Sequence, residues 1–99
     1  MVAEHIGDTV IITWDSAKRL ANLDKHGLDF DDLDIDFFMN SLVLRVREGR
    51  FKAVRRHSAR GVIVVVFATL GTEAVSVIST RPASRKERSL FDGRQDIAS

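Results

Sequence analysis

Among its 99 residues the chain has no cysteine. That excludes a disulfide framework and any metal site built on thiolates. Long hydrophobic runs are missing too. The longest, Val62 to Leu70, is interrupted only by Thr69 and is far too short to span a bilayer. The opening Met1, Val2, Ala3, Glu4, His5 lacks the basic, then apolar, then small-residue order of a secretory signal, so the expected compartment is a reducing cytoplasm with no membrane partner. With no repeat, linker or low-complexity tract and a hydrophobic content of 44%, we expect a single domain over residues 1–99, its core spanning about 12–91.

A charge excess is nearly absent over the whole chain, which carries 15 basic and 14 acidic residues, but it appears once the chain is divided. From Met1 to Leu44 three basic residues face nine acidic ones, a balance of −6; from Arg45 onward twelve basic residues face five acidic ones, a balance of +7. The basic half calls for an anionic or a charged protein partner.

What is present is organised around Gly61 to Phe91. Val62 to Phe67 and Ala74 to Thr80 are β-branched runs separated by a short segment containing Gly71, which predicts an antiparallel hairpin. The first run is apolar on both faces, as in a strand covered from both sides. In the second, strict alternation puts Val75, Val77 and Ser79 on one face, so Arg81 is expected to leave the strand on the Val75 side. Pro82, the lone proline, fixes its own φ and cannot donate a ladder hydrogen bond. Ser84 and Glu87 then have the spacing of a capping box, predicting a basic helix from Arg85 with Lys86 and Arg88.

Toward the N-terminus, Val10 to Thr13 suits a short opening strand. Asp15 is an N-cap residue, Ser16 to His26 a helix, and Gly27 its left-handed stop. Ala17, Leu20, Ala21 and Leu23 supply an apolar face to this helix, whereas Lys18, Asn22, Lys25 and His26 form a polar stripe. A second helix from Asp29 to about Met39 would align Phe30, Leu33 and Phe37; the alternation over Leu33 to Phe38 also permits a strand. Leu42 to Arg47 and Phe51 to His57 read as a hairpin, followed by a turn over 58–61. The expected fold is therefore α+β, with two N-terminal helices, a four-stranded antiparallel sheet and a C-terminal helix.

The spacing of Trp14, Asp15, Lys18, Asn22, Lys25, His26, Gly27 and Phe30 resembles the BrnT family of bacterial type II toxins. Val77, Ile78, Ser79, Arg81, Ala83, Ser84, Glu87 and Arg88 are similar to that family's closing strand and helix, and Arg50 and Phe51 followed by the Gly61 to Phe67 strand fit between. The resemblance implies a RelE-like ribonuclease that cleaves RNA without a metal or cofactor and arrests translation. It further implies neutralisation by a BrnA-like ribbon-helix-helix antitoxin, through which alone the complex would reach operator DNA. Three residues depart from the family pattern: Ser76 stands where arginine is usual, Phe91 where tyrosine is frequent and Arg55 where glycine is common. The first two would remove polar groups near the site, which leaves open a rival reading, a toxin-like binding module that has lost catalysis and serves as antitoxin partner and co-repressor.

Metal-free RNA cleavage requires a base for the 2′-hydroxyl proton, an acid for the leaving oxygen and cations on the phosphorane. Arg81 is the candidate for phosphate stabilisation, and its removal is expected to abolish toxicity while leaving the fold intact; read blandly, it is a solvated strand-end residue paired with Glu87. Lys25 and His26 are candidates for phosphate clamp and proton carrier, although both also suit the last turn of a helix. His57 is a further acid–base candidate, and Glu87 either caps its helix, orients Arg81 or takes part in catalysis. Arg50, Arg55, Arg85 and Arg88, with Arg56 and Arg60, are candidates for tracking an RNA backbone. The acidic stretch Asp29 to Asp36 lacks the central glycine and terminal glutamate of a calcium loop, so no metal ligands are expected.

Overall fold

In a computed structural model of the chain, residues 2–6, 10–57 and 60–98 are described. The elements run β1 (Val2–Ile6), β2 (Val10–Trp14), α1 (Ser16–His26), a 3-10 turn (Phe30–Asp32), α2 (Ile35–Met39), β3 (Leu42–Arg47), β4 (Arg50–His57), β5 (Gly61–Leu70), β6 (Ala74–Pro82) and α3 (Arg85–Ala98). Of the turn expected over 58–61, residues 58 and 59 lie outside the described residues.

The expected α+β class holds, but the sheet is larger and not purely antiparallel. Its strands lie in the order β1-β2-β6-β5-β4-β3, five of them from Val10 onward, with β1 added at the edge. The expected hairpins form, β3 with β4 and β5 with β6, and β5 and β6 are the two central strands. What local pattern did not disclose is that β2 pairs parallel to β6, Ile12 beside Val75 and Trp14 beside Val77, across some sixty residues of chain. The run of β-branched residues in β2 suits a strand, and its position is fixed by burying Ile12 and Trp14 against Val77.

The second expected helix is broken. Asp29 caps only the 3-10 turn, Leu33 returns to extended backbone, and Asp34 starts a new single-turn helix by accepting the Phe37 N–H at 2.9 Å. Aspartates at such close spacing compete for backbone N–H groups and so start turns rather than sustain a helix. The inward set is nonetheless the expected one: Phe30, Leu33 and Phe37 are buried with Leu28 against Ala53, Ile63, Val65 and Phe67. Arg19 locks this segment to α1, its Nε and Nη2 donating to Asp29 at 2.6 and 2.9 Å.

The opposite sheet face, with Val54, Val62 and Val64, is covered by Phe91 of α3. Hence β5 is apolar on both faces because it is covered on both. Phe91 lies in this core.

One irregularity decides where Arg81 points. Val66 pairs with Ser79 and Phe67 with Val77, leaving Ile78 as an extra residue on β6. Beyond this bulge the alternation inverts: Thr80 lies opposite Val65 on the Val75 face, and Arg81 lies opposite Val64 on the α3 face. The expected direction of Arg81, on the Val75 side, is thus reversed.

Candidate active site

Because β2 stops at Trp14, level with Val77, the remainder of β6 has no strand beside it on that edge. Helix α1 fills the gap. Asp15 caps it, accepting the Ala17 N–H at 2.9 Å, and Gly27 ends it in left-handed backbone at φ 67°. Its one buried residue is Asn22, which serves the open strand edge as a strand would. The Asn22 side-chain oxygen accepts the Thr80 N–H at 3.0 Å, while its Nδ2 donates to Thr80 Oγ1 at 2.7 Å and to the Leu28 carbonyl at 3.1 Å.

Between α1 and this edge lies a cleft of about 400 Å³ lined by Lys18, Ala21, Asn22, Lys25, His26, Ile78, Ser79 and Arg81. The polar stripe of α1 forms one wall and the bulged end of β6 the other. Two lysines, an arginine and an imidazole therefore converge with no carboxylate in the lining.

Behind the cleft Arg81 is held by α3. Its Nη1 and Nη2 each donate to a different oxygen of Glu87 at 2.8 Å, and Lys52 Nζ donates to the same carboxylate at 2.9 Å. Glu87 also accepts the Ser84 N–H at 2.9 Å while its own N–H donates to Ser84 Oγ at 3.2 Å, which is the expected capping box. The Arg81 guanidinium holds the Glu87 carboxyl far below the usual carboxylate range, overcoming the opposing effect of burial, and Glu87 in turn raises Arg81. Glu87 is thus an ionised, fully engaged anchor.

Of the other sequence candidates, none lines the cleft. His57 ends β4 opposite Gly61. Arg50 starts β4 at the far end of the sheet, and Arg85 and Arg88 are exposed on the first turns of α3. Arg55 lies on the opposite face from Arg81, donating to the Asp36 carbonyl at 2.9 Å and carboxylate at 3.1 Å. Two site residues were underrated. Lys18 and Asn22 were visible as members of the α1 stripe, but only the edge vacated by β2 gives that stripe a second wall. Lys52 carried no sequence signal, since its partner is 35 positions away. Among the described residues no cluster of three or more His, Asp or Glu is placed to hold a metal ion.

A cleft lined by lysine, histidine and arginine beside the central sheet of a small α+β domain, with the arginine held from behind by a buried glutamate, has the charge to suit an anionic partner. Residues 14–87 match the family described as the ribonuclease toxin, BrnT, of type II toxin-antitoxin system. The fold is similar to the 1.1 Å crystal structure of the Brucella abortus ribonuclease toxin BrnT, with a TM-score of 0.71 and 41% identity over 79% of this chain and 100% of that one. No curated protein matches. The chain belongs to the BrnT family of ribonuclease toxins of type II toxin–antitoxin systems, and an antitoxin is its implied partner. No helix among the described residues is long and apolar enough to cross a membrane.

Proposed function

We propose that the cleft between α1 and β6 is where this toxin cuts RNA, by metal-independent attack of a ribose 2′-hydroxyl on the adjoining phosphorus. The observation that carries this reading is the convergence of Lys18, Lys25, His26 and Arg81 on one cleft. His26 takes the 2′-hydroxyl proton, since imidazole exchanges protons near neutral pH. The new P–O bond gives a phosphorane whose extra negative charge faces Arg81, with Lys25 and Lys18 on the flanking phosphates. Departure of the 5′-oxygen, protonated as it leaves, yields a 2′,3′-cyclic phosphate and a 5′-hydroxyl. Glu87 takes no proton in this scheme; it positions Arg81.

The rival reading of a toxin-like binder rested on Ser76 and Phe91. Phe91 is buried between α3 and the sheet and Ser76 pairs with Thr13 and Ala68, so neither residue is among those lining the cleft. This favours the enzyme. In the cell, a cytoplasmic toxin of this kind arrests translation by cutting RNA and is neutralised by a BrnA-like ribbon-helix-helix antitoxin, reaching operator DNA only within that complex.

Incubating the purified protein with naked RNA in excess EDTA, with and without its antitoxin, tests the proposal. Fragments ending in cyclic phosphate, suppressed by the antitoxin, are expected. Intact RNA, or cleavage that ceases with EDTA and returns with a divalent cation, would overturn it.

A further inference from the structure

Helix α1 has an apolar face of Ala17, Leu20, Ala21 and Leu23, which a helix packed on a sheet ordinarily turns toward the core. It does the reverse: the only buried residue of the helix is polar Asn22, Leu20 is 61% exposed, Leu23 is 37% exposed, and both alanines are exposed. The cause is the position of the helix at the sheet edge, where its inward side must serve the backbone of β6. Much of its apolar side is left in water, Leu20 most of all. At helical spacing Leu20, Ala17 and Ala21 form a ridge leading to Lys25 and Lys18, so the apolar face adjoins the cationic wall of the cleft.

We propose that this face of α1 seats an acidic amphipathic segment of the antitoxin, which thereby covers the mouth of the cleft. The proposal rests on reading the chain as a toxin with an antitoxin partner, and on the cleft as its RNA site. Charge complementarity identifies the occupant: Lys18, Lys25, His26 and Arg81 line the cleft with no carboxylate among them, whereas Asp24 stands one turn beyond Leu20 on the outward side. The segment therefore lies with apolar side chains over Ala17 and Leu20 and its carboxylates toward the cleft, away from Asp24. RNA satisfies the cations but has no use for Leu20. In a second copy of this chain Asp29 is bound to Arg19, Asp34 caps α2 and Asp36 accepts from Arg55, so self-association would have to use exposed Asp31 and Asp32 and is read out separately in the test.

The test compares the full-length parent with Leu20→Lys and Leu20→Met, titrating each with the purified cognate antitoxin by calorimetry and measuring RNA cleavage by the free toxins. Expected for Leu20→Lys is a loss of at least about tenfold in antitoxin affinity, with cleavage and thermal midpoint unchanged, while Leu20→Met binds as the parent does. Parental binding should also weaken as salt rises from about 0.1 to 0.5 M. Unchanged antitoxin affinity in Leu20→Lys overturns the proposal, as does a parental self-associated species that this substitution alone breaks, or a loss of RNA cleavage by Leu20→Lys. If the parent cuts no RNA but Leu20→Lys still weakens the complex, the catalytic reading fails and the docking surface stands.

Discussion

Arg81 and Glu87 form a two-point ion pair, each guanidinium Nη donating to its own carboxylate oxygen at 2.8 Å, and Lys52 shares the same carboxylate from β4. One buried anion thus fixes two cations from different strands. The cluster keeps net positive charge at the end of β6, and the fork of Arg81 is oriented before any phosphate arrives.

Arg81→Ala is expected to lower RNA cleavage by about a hundredfold to a thousandfold, the usual effect of removing one group that stabilises transition-state charge. It is not a silent surface change, as its sequence position suggested. Glu87 is 5% exposed and would keep only Lys52 as a cationic partner, so a stability loss of about 1–3 kcal/mol should accompany it. Arg81→Lys retains a charge without the fork and should recover part of each. Cleavage rates measured well below both thermal midpoints separate the two effects. Parental cleavage by folded Arg81→Ala would move the site elsewhere.

Acid should destabilise the protein through Glu87. Its folded pKa is depressed by Arg81, so below the ordinary value of about 4.3 the unfolded chain takes up a proton that the folded one refuses. The stabilisation is fully present above that value and is lost as pH falls toward the folded pKa; Asp29, depressed by Arg19, acts in the same direction. Glu87→Gln should cost about 2 kcal/mol at neutral pH and flatten the dependence of thermal midpoint on pH between about 5 and 3. An equally steep acid limb in that variant would assign the acid sensitivity to other carboxylates.

The central hairpin should hold the slowest-exchanging amides, in Val62–Phe67 and the facing part of β6, because both strands have neighbours and β5 is covered on both faces. Hydrogen exchange followed residue by residue checks this. Longer protection in α1 than in β5 would contradict it.

Local chemistry made much of this legible from sequence: the Asp15 and Ser84 caps, the Gly27 stop, both hairpins and the cationic residues of the cleft are each set by neighbours a few positions away. What was not legible depends on distant partners. The parallel pairing of β2 with β6 creates the open edge, and the edge converts the α1 stripe into a cleft wall while turning Leu20 outward. The Ile78 bulge inverts the face of Arg81, and no alternation pattern contains a residue that is skipped.

Gly27→Ala should destabilise by about 1 kcal/mol, since φ 67° is strained for any residue with a Cβ. The added methyl would come 3.3 Å from Arg60 Nη2, the end of a flexible side chain that can yield, so backbone strain is the main cost. A denaturant midpoint equal to the parent's would show that the cap relaxes without strain.

Asn22 joins the two walls of the cleft, and its removal should damage chemistry more than fold. Asn22→Ala leaves the Thr80 N–H and the Leu28 carbonyl without their present side-chain partner in a buried setting, for a loss of about 2–4 kcal/mol. The helix it releases carries Lys18, Lys25 and His26, whereas Arg81 stays fixed by Glu87. A displacement of about 1 Å between such groups can cost about a hundredfold in rate, so cleavage by the folded variant should fall by at least about tenfold. Thr80→Val is the matched control: it removes the hydroxyl that accepts from Asn22 Nδ2 but keeps the backbone bond to Oδ1, and should cost only about 1 kcal/mol with little change in rate. Single-turnover cleavage with saturating RNA, at a temperature where every variant is folded by circular dichroism, reads the chemical step alone. If Asn22→Ala then cuts at the parental rate, α1 is held in register by other contacts, and the side-chain bridge to β6 serves stability only.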